Sequence, residues 1–195
     1  ALLGLDPRDT TALYRAMDRA LKGHPYAKSG IDVAAWDILG QACGQPIVTL
    51  LGGRFGEDFP LYRAISQGSP EAMAEKVGLY RSEGYQRFQL KVGSDVETDV
   101  ARIRMASKRL KTGDILVADA NTGWLMHEAM RVIRGVADID VYIEQPCLTY
   151  EECLSVRRKA THPFVLDESV DGIGMLVRAA HDHAADVINL KVSKV

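Results

Sequence analysis

The chain has 195 residues, of which 47% are hydrophobic, enough for one sizeable buried core and ordinary for a globular protein. Lys and Arg total 24 against 26 Asp and Glu, a net charge of -2, so no basic surplus points to nucleic acid and no acidic tail to a solvating segment. Cys43, Cys147 and Cys153 show no CxxC spacing and cannot all pair, the usage expected of a reducing cytoplasm; the first residues lack a basic stretch followed by an apolar run, so no signal peptide is expected, and no apolar run nears the roughly twenty residues that span a bilayer.

The first fifty residues read as helical. Asp9 or Thr10 caps a helix through Leu13, Met17 and Leu21, and a second runs from Ser29 to Cys43 with Ile31, Ala35, Ile38 and Leu39 on one stripe. Gly44, Pro46 and Gly52-Gly53 punctuate its end. After Pro60 the period changes. Short β-rich runs, Leu61–Ile65, Arg87–Lys91, Ile115–Ala118, Val141–Ile143, Phe164–Leu166 and Val187–Lys191, alternate with amphipathic stretches Pro70–Glu83, Val96–Leu110, Leu125–Val136, Tyr150–Ala160 and Gly174–His183. Such alternation predicts an α/β fold with a parallel sheet. Both an open doubly wound sheet and a closed (β/α)₈ barrel fit; the absence of a glycine-rich phosphate loop and the regular period favour the barrel. Six strands leave such a barrel about two βα units short, so the chain is expected to be part of a longer protein, truncated after the sixth strand.

In a (β/α)₈ barrel the active site lies at the C-terminal ends of the strands. Those ends read FQLKVG with Lys91, VADAN with Asp119 and Asn121, IEQP with Glu144 and Gln145, LDES with Asp167 and Glu168, and INLK with Lys191. Three acids brought together repel one another unless a cation sits among them, and hard carboxylate oxygens suit Mg²⁺, or Mn²⁺ in its place. The competing reading is that each acid caps the helix after it. Lysines at the ends of apolar strands either pair with neighbouring carboxylates or serve as acid and base. In a closed barrel the second and sixth strands face each other across the mouth. A substrate carbon between Lys91 and Lys191 then loses a proton to one and regains it from the other, while the metal stabilises the enediolate formed.

The series FQLKVG, VADAN, IEQP, LDES and INLK resembles the muconate lactonizing enzyme/mandelate racemase family of the enolase superfamily. The spacings from Lys91 through Asp119, Glu144 and Asp167 to Lys191 are 28, 25, 23 and 24 residues. The stretch SGIDVAAWDILGQACGQPIVTLLGG resembles that family's junction between capping domain and barrel. The resemblance implies residues 1–55 as the helical end of an α+β capping domain and 56–195 as strands one to six of a (β/α)₈ barrel. It implies Asp119, Glu144 and Asp167 as metal ligands and Lys91 and Lys191 as the catalytic pair. Asn121 and Glu168 match positions that support the ligands, and Gln145 is placed with them or against the substrate. Gln89 stands where the family's Lys-x-Lys motif has its first lysine. A Gln-x-Lys version with YRAIS on the first strand is similar to enzymes of proline-type amino acids and betaines, including hydroxyproline betaine epimerases. The implied activity is racemisation or epimerisation of a small carboxylate in the cytoplasm, by a homo-oligomer when full length. Dehydration or cycloisomerisation on the same scaffold is the alternative. Two further classes are an inactive barrel fragment acting as a binding module and an open α/β domain for a small anion.

Other residues carry less. Trp124 either lines the site or packs the third helix; Cys147 lies near the mouth without a partner for nucleophilic catalysis; His24, His127, His162, His181 and His183 are scattered.

Overall fold

A computed structural model describes residues 1–194, which form two compact units, Ala1–Phe59 with the segment from Lys191, and Pro60–Leu190. The first unit carries α1 (Thr10–Ala20), α2 (Pro25–Cys43), α3 (Ile47–Leu50) and a 3-10 turn at Val192–Lys194. Asp9 is the N-cap of α1, its carboxylate accepting from Ala12 N at 2.9 Å. α2 starts four residues before the expected Ser29, because Pro25 is a ready first helical residue with its ring-fixed φ. The stripe expected on α2 is not a buried one. Ala35 is buried, but Ile31 and Ile38 are exposed.

The second unit alternates β1 (Arg63–Ile65), α4 (Pro70–Ser82), β2 (Arg87–Lys91), α5 (Val96–Ser107), β3 (Ile115–Asp119), α6 (Met126–Gly135), β4 (Tyr142–Glu144), α7 (Tyr150–Arg157), β5 (Phe164–Leu166), α8 (Ile173–His181) and β6 (Val187–Ile188). The six strands are all parallel and lie in the order β1-β2-β3-β4-β5-β6. That order decides between the two candidate architectures. A doubly wound sheet reverses direction at a switch point, whereas strands laid down in one direction are the wall of a (β/α) barrel. The sheet is therefore a barrel wall of six strands. β6 is shorter than the expected Val187–Lys191 because its partner β5 ends at Leu166, so the ladder closes with Asn189 N donating to Leu166 O at 2.9 Å.

Strand side chains alternate between the two faces. Phe88, Leu90, Leu116, Ile143, Phe164 and Leu166 point outward beneath the helices and are at most 1% exposed. Each such burial contributes about 1.5–3 kcal/mol. The opposite face carries Gln89, Lys91, Val117, Asp119, Tyr142, Glu144, Val165 and Asp167 at every second position. Loops set the helix starts by local capping. Ser69 caps α4, Asp95 caps α5, Glu128 accepts from Leu125 N ahead of α6, and Thr149 with Glu152 forms a capping box on α7. Among the described residues no helix is long and apolar enough to cross a membrane.

Candidate active site

The register places Lys91 beside Asp119 and Asp119 beside Glu144, so the ends of β2, β3 and β4 stand level. Asp167 follows β5 one pleat higher, since Glu144 pairs with Val165. The helix N-caps are other residues, and α8 has Gly172 at its N-cap with no side-chain cap, so helix capping does not account for the three acids. All three are buried: Asp119 0%, Glu144 2% and Asp167 2% exposed.

Each acid meets specific donors. Lys91 Nζ lies 2.5 Å from Asp119 Oδ2 and 3.0 Å from Asn121 Oδ1. Asp119 Oδ1 accepts from Asn121 N at 2.9 Å. Asn121 adopts φ 43°, a left-handed conformation that Asn tolerates, and its amide donates to Glu168 Oε1 at 3.0 Å. Lys91, Asp119, Asn121 and Glu168 thus form one chain along the rim. On the other side of Asp119, Gln89 Nε2 donates to Glu144 Oε2 at 2.7 Å. Asn189 Nδ2 donates to Glu144 Oε1 at 2.8 Å and to Asp167 Oδ2 at 3.3 Å. One amide nitrogen therefore serves two carboxylates. Glu144 is held above the ordinary carboxylate range, first by burial and then by the charges of Asp119 and Asp167, against the pull of its Asn189 and Gln89 hydrogen bonds. A cavity of about 330 Å³ opens on this inner face and includes Gln89, Tyr142, Glu144, Val165 and Asn189 in its wall.

The structure brings together Gln89, Lys91, Asp119, Asn121, Glu144, Asp167 and Glu168. Gln145 belongs behind them. It is fully buried, with Oε1 accepting from Asp167 N (3.0 Å) and Ser169 N (3.1 Å) and Nε2 donating to Cys147 O (3.1 Å) and Ser169 Oγ (2.6 Å). That commits its amide to the loops after β4 and β5 and leaves none for a substrate. Lys191 follows β6 and groups with the first unit. Trp124 is 2% exposed and packs in the core, which removes it from the lining, and Cys147 is fully buried.

Among the described residues, no three His, Cys, Asp or Glu side chains stand as a set shaped to hold a metal ion. The donor chemistry nonetheless fits a hard cation. Three buried carboxylates rise from adjacent strands, and two of them lie within reach of the one Asn189 nitrogen, where positive charge would relieve the repulsion acting on Glu144. Asn189 escaped the sequence reading. The signal was the period-two alternation, which puts it on the face of Val187, but a lone Asn in an apolar run carries no chemical pattern of its own.

The chain is similar to several known proteins. A cis-3-hydroxy-L-proline dehydratase from Roseibium aggregatum is 58% identical over 194 residues, covering 100% of this chain and 53% of that protein. An N-succinyl-L-Arg/Lys racemase from Bacillus cereus is 32% identical over 198 residues, covering 100% of this chain and 54% of that protein. A crystal structure of a mandelate racemase/muconate lactonizing enzyme from Roseovarius nubinhibens complexed with magnesium superposes with a TM-score of 0.87 at 34% identity, over 100% of this chain and 55% of that one. The chain thus spans about half the length of the relatives it matches. Residues 1–52 match the mandelate racemase/muconate lactonizing enzyme N-terminal domain and residues 72–195 the enolase C-terminal domain-like family, so the chain belongs to the mandelate racemase/muconate lactonizing enzyme family of the enolase superfamily.

Proposed function

We propose that the full-length protein carrying this chain is a Mg²⁺-dependent racemase or epimerase that moves the α-proton of a small carboxylate, of the proline-type amino acid or betaine class. The observation that carries this reading is the rim chain of Lys91, Asp119 and Asn121 beside a wall of buried acids. Asp119, Glu144 and Asp167 would hold the metal, which supplies the positive charge that stabilises an enediolate. Lys91, as the neutral amine, takes the α-proton on its Nζ lone pair as the C–H bond breaks and the electron pair moves toward the substrate carboxylate. Asp119 and Asn121 aim that nitrogen. Lys191 is assigned the return of a proton to the opposite face. Gln89 keeps a hydrogen bond to Glu144 without adding charge, which suits a substrate whose nitrogen is itself cationic. We place the protein in the cytoplasm, where its free thiols stay reduced.

Dehydration is the second reading, favoured by the 58% identical hydroxyproline dehydratase. One experiment separates them: exchange of the α-proton of L- and D-proline with deuterated water by the Mg²⁺-loaded, full-length protein. A two-base epimerase exchanges both enantiomers. Lys91→Ala then stops exchange from one and Lys191→Ala from the other, each by ~10²–10⁴-fold. Loss from both enantiomers in one folded, metal-loaded variant counts against two bases. Exchange confined to one enantiomer in the wild type points to dehydration.

A further inference from the structure

Behind Lys91 lies a charged group of side chains with no part in the chemistry above. Asp99 sits in the first turn of α5, yet its side chain is 0% exposed. It is not the cap of that helix, since Asp95 already accepts from Thr98 N at 2.9 Å. Its carboxylate accepts from Gly93 N (3.0 Å), Ser94 N (2.7 Å), Ser94 Oγ (3.3 Å), Arg102 Nη1 (2.7 Å) and Trp124 Nε1 (2.9 Å). Arg102 in turn donates from Nε to Gly68 O at 2.9 Å and from Nη1 to Ser94 Oγ at 2.6 Å. Gly68, Gly93 with Ser94, and Trp124 belong to the loops after β1, β2 and β3. One buried ion pair therefore reaches three consecutive loops at the end of the barrel that carries the site.

Stability alone is a weak reason for such a pair, because well-packed apolar side chains of similar volume stabilise as well or better. Fixed loop geometry is what the polar version adds. Lys91 is two residues from Gly93, and the segment between is held too: Val92 N donates to Asp119 O at 2.9 Å and Gln67 Nε2 to Val92 O at 2.6 Å. The loops after β2 and β3 touch backbone to backbone. A Cβ on Gly93 would stand 2.3 Å from Ala120 O and one on Gly123 2.4 Å from Gly93 O. Displacing the Gly93–Ser94 turn must therefore shift the backbone at Ala120, between Asp119 and Asn121, the two residues that hold Lys91 Nζ.

We propose that Asp99 is a positioning residue of the active site: its carboxylate, with Arg102 and Trp124, clamps the loops after β1, β2 and β3 and so sets where Lys91 Nζ meets Asp119 and Asn121. The proposal rests on Lys91 as a proton-transfer group, and the test keeps the two apart. Asp99→Asn and, as the milder change, Trp124→Phe are made in the Mg²⁺-loaded, full-length protein. Two quantities are read: hydrogen-exchange protection of the Gly93 and Ser94 amides, and α-proton exchange of each proline enantiomer. The expected result is lost protection at both amides, with exchange on the Lys91 face down about tenfold or more and the Lys191 face nearly unchanged, since a misplacement of about 1 Å costs on the order of 10²-fold. Trp124→Phe moves both readouts the same way by less, and decides the matter should Asp99→Asn not fold. Retained protection at Gly93 and Ser94 overturns the clamp. Equal loss on both faces reduces Asp99 to general stability and overturns the positioning role. Exchange that survives Lys91→Ala overturns Lys91 as the base instead, and the amide protection then judges the clamp by itself.

Discussion

Asn189 shows how one neutral side chain shapes an electrostatic site. Its amide nitrogen lies between Glu144 and Asp167, where two buried like charges approach each other. A hydrogen bond to a charged group stabilises by about 1.5–3 kcal/mol, and a buried acceptor left without its donor costs a comparable amount. Asn189→Ala should therefore lower the urea unfolding free energy of the metal-free protein by about 1–3 kcal/mol. An unchanged midpoint and slope would show that the amide does not bridge these acids in solution. A bound cation does the same electrostatic work more strongly. Mg²⁺ should raise the melting temperature of the wild type, as any ligand specific to the folded state does, and Asp167→Asn should abolish the rise. A rise of full size in that variant removes Asp167 from the ligand set. At this scale the charged residues were legible, because acids and lysines at strand ends are chemically conspicuous. The amides were harder: Gln145 and Asn189 act through specific hydrogen bonds that only the register and the loop path create.

The strands and helices themselves were legible from period and punctuation, and their ends were decided by neighbours. β2 spans Arg87–Lys91 and β5 Phe164–Leu166, as the apolar runs predict. β1 begins at Arg63 rather than Leu61, since its pairing with β2 starts at Arg63 opposite Phe88. α5 stops at Ser107, before the expected Leu110, because the chain turns there, with Leu110 N donating to Ser107 O at 3.1 Å. The loops carry the constraints that no period announces. Gly93 has φ 98°, a region other residues avoid, and no room for a Cβ against Ala120 O. Gly93→Ala should thus cost about 3 kcal/mol or more, at the upper end for a point substitution, through both strain and overlap. Gly113 makes the control. Its φ is 92° with nothing within 4 Å of a Cβ, so Gly113→Ala pays the backbone strain alone. Equal losses in the two variants, measured by urea unfolding, would show that the contact with Ala120 relaxes freely.

For the molecule as a whole, the alternation of strands and helices predicted a parallel α/β sheet, and the strand order β1 to β6 settles which one. That order is invisible in period or composition; only spatial neighbours reveal it. A property of the whole fold is its response to acid. Asp6, Asp18, Asp95, Asp114, Asp138 and Asp182 are all held below the usual carboxylate range, and Glu144 is held above it. Groups lowered in the fold bind fewer protons there than in the unfolded chain, so the stability they contribute is present above the unfolded pKa and lost as pH falls through the folded value. Glu144 works in the opposite direction. Most of the lowered acids are exposed and their pairs contribute little. Asp114 is different, with its side chain 1% exposed. Burial pushes it up, but the Arg81 guanidinium at 2.6 Å and the Lys111 backbone amide at 2.8 Å outweigh that and hold it down. Asp114→Asn should lower the unfolding free energy by about 1–3 kcal/mol at pH 7. The gap between wild type and variant should close as pH falls from about 4, the unfolded value, through the lower folded one. Urea titrations at pH 7 and at pH 3 or below measure it. A gap of the same size at both would mean that Asp114 acts by shape and neutral hydrogen bonding, and that acid sensitivity of this fold arises elsewhere.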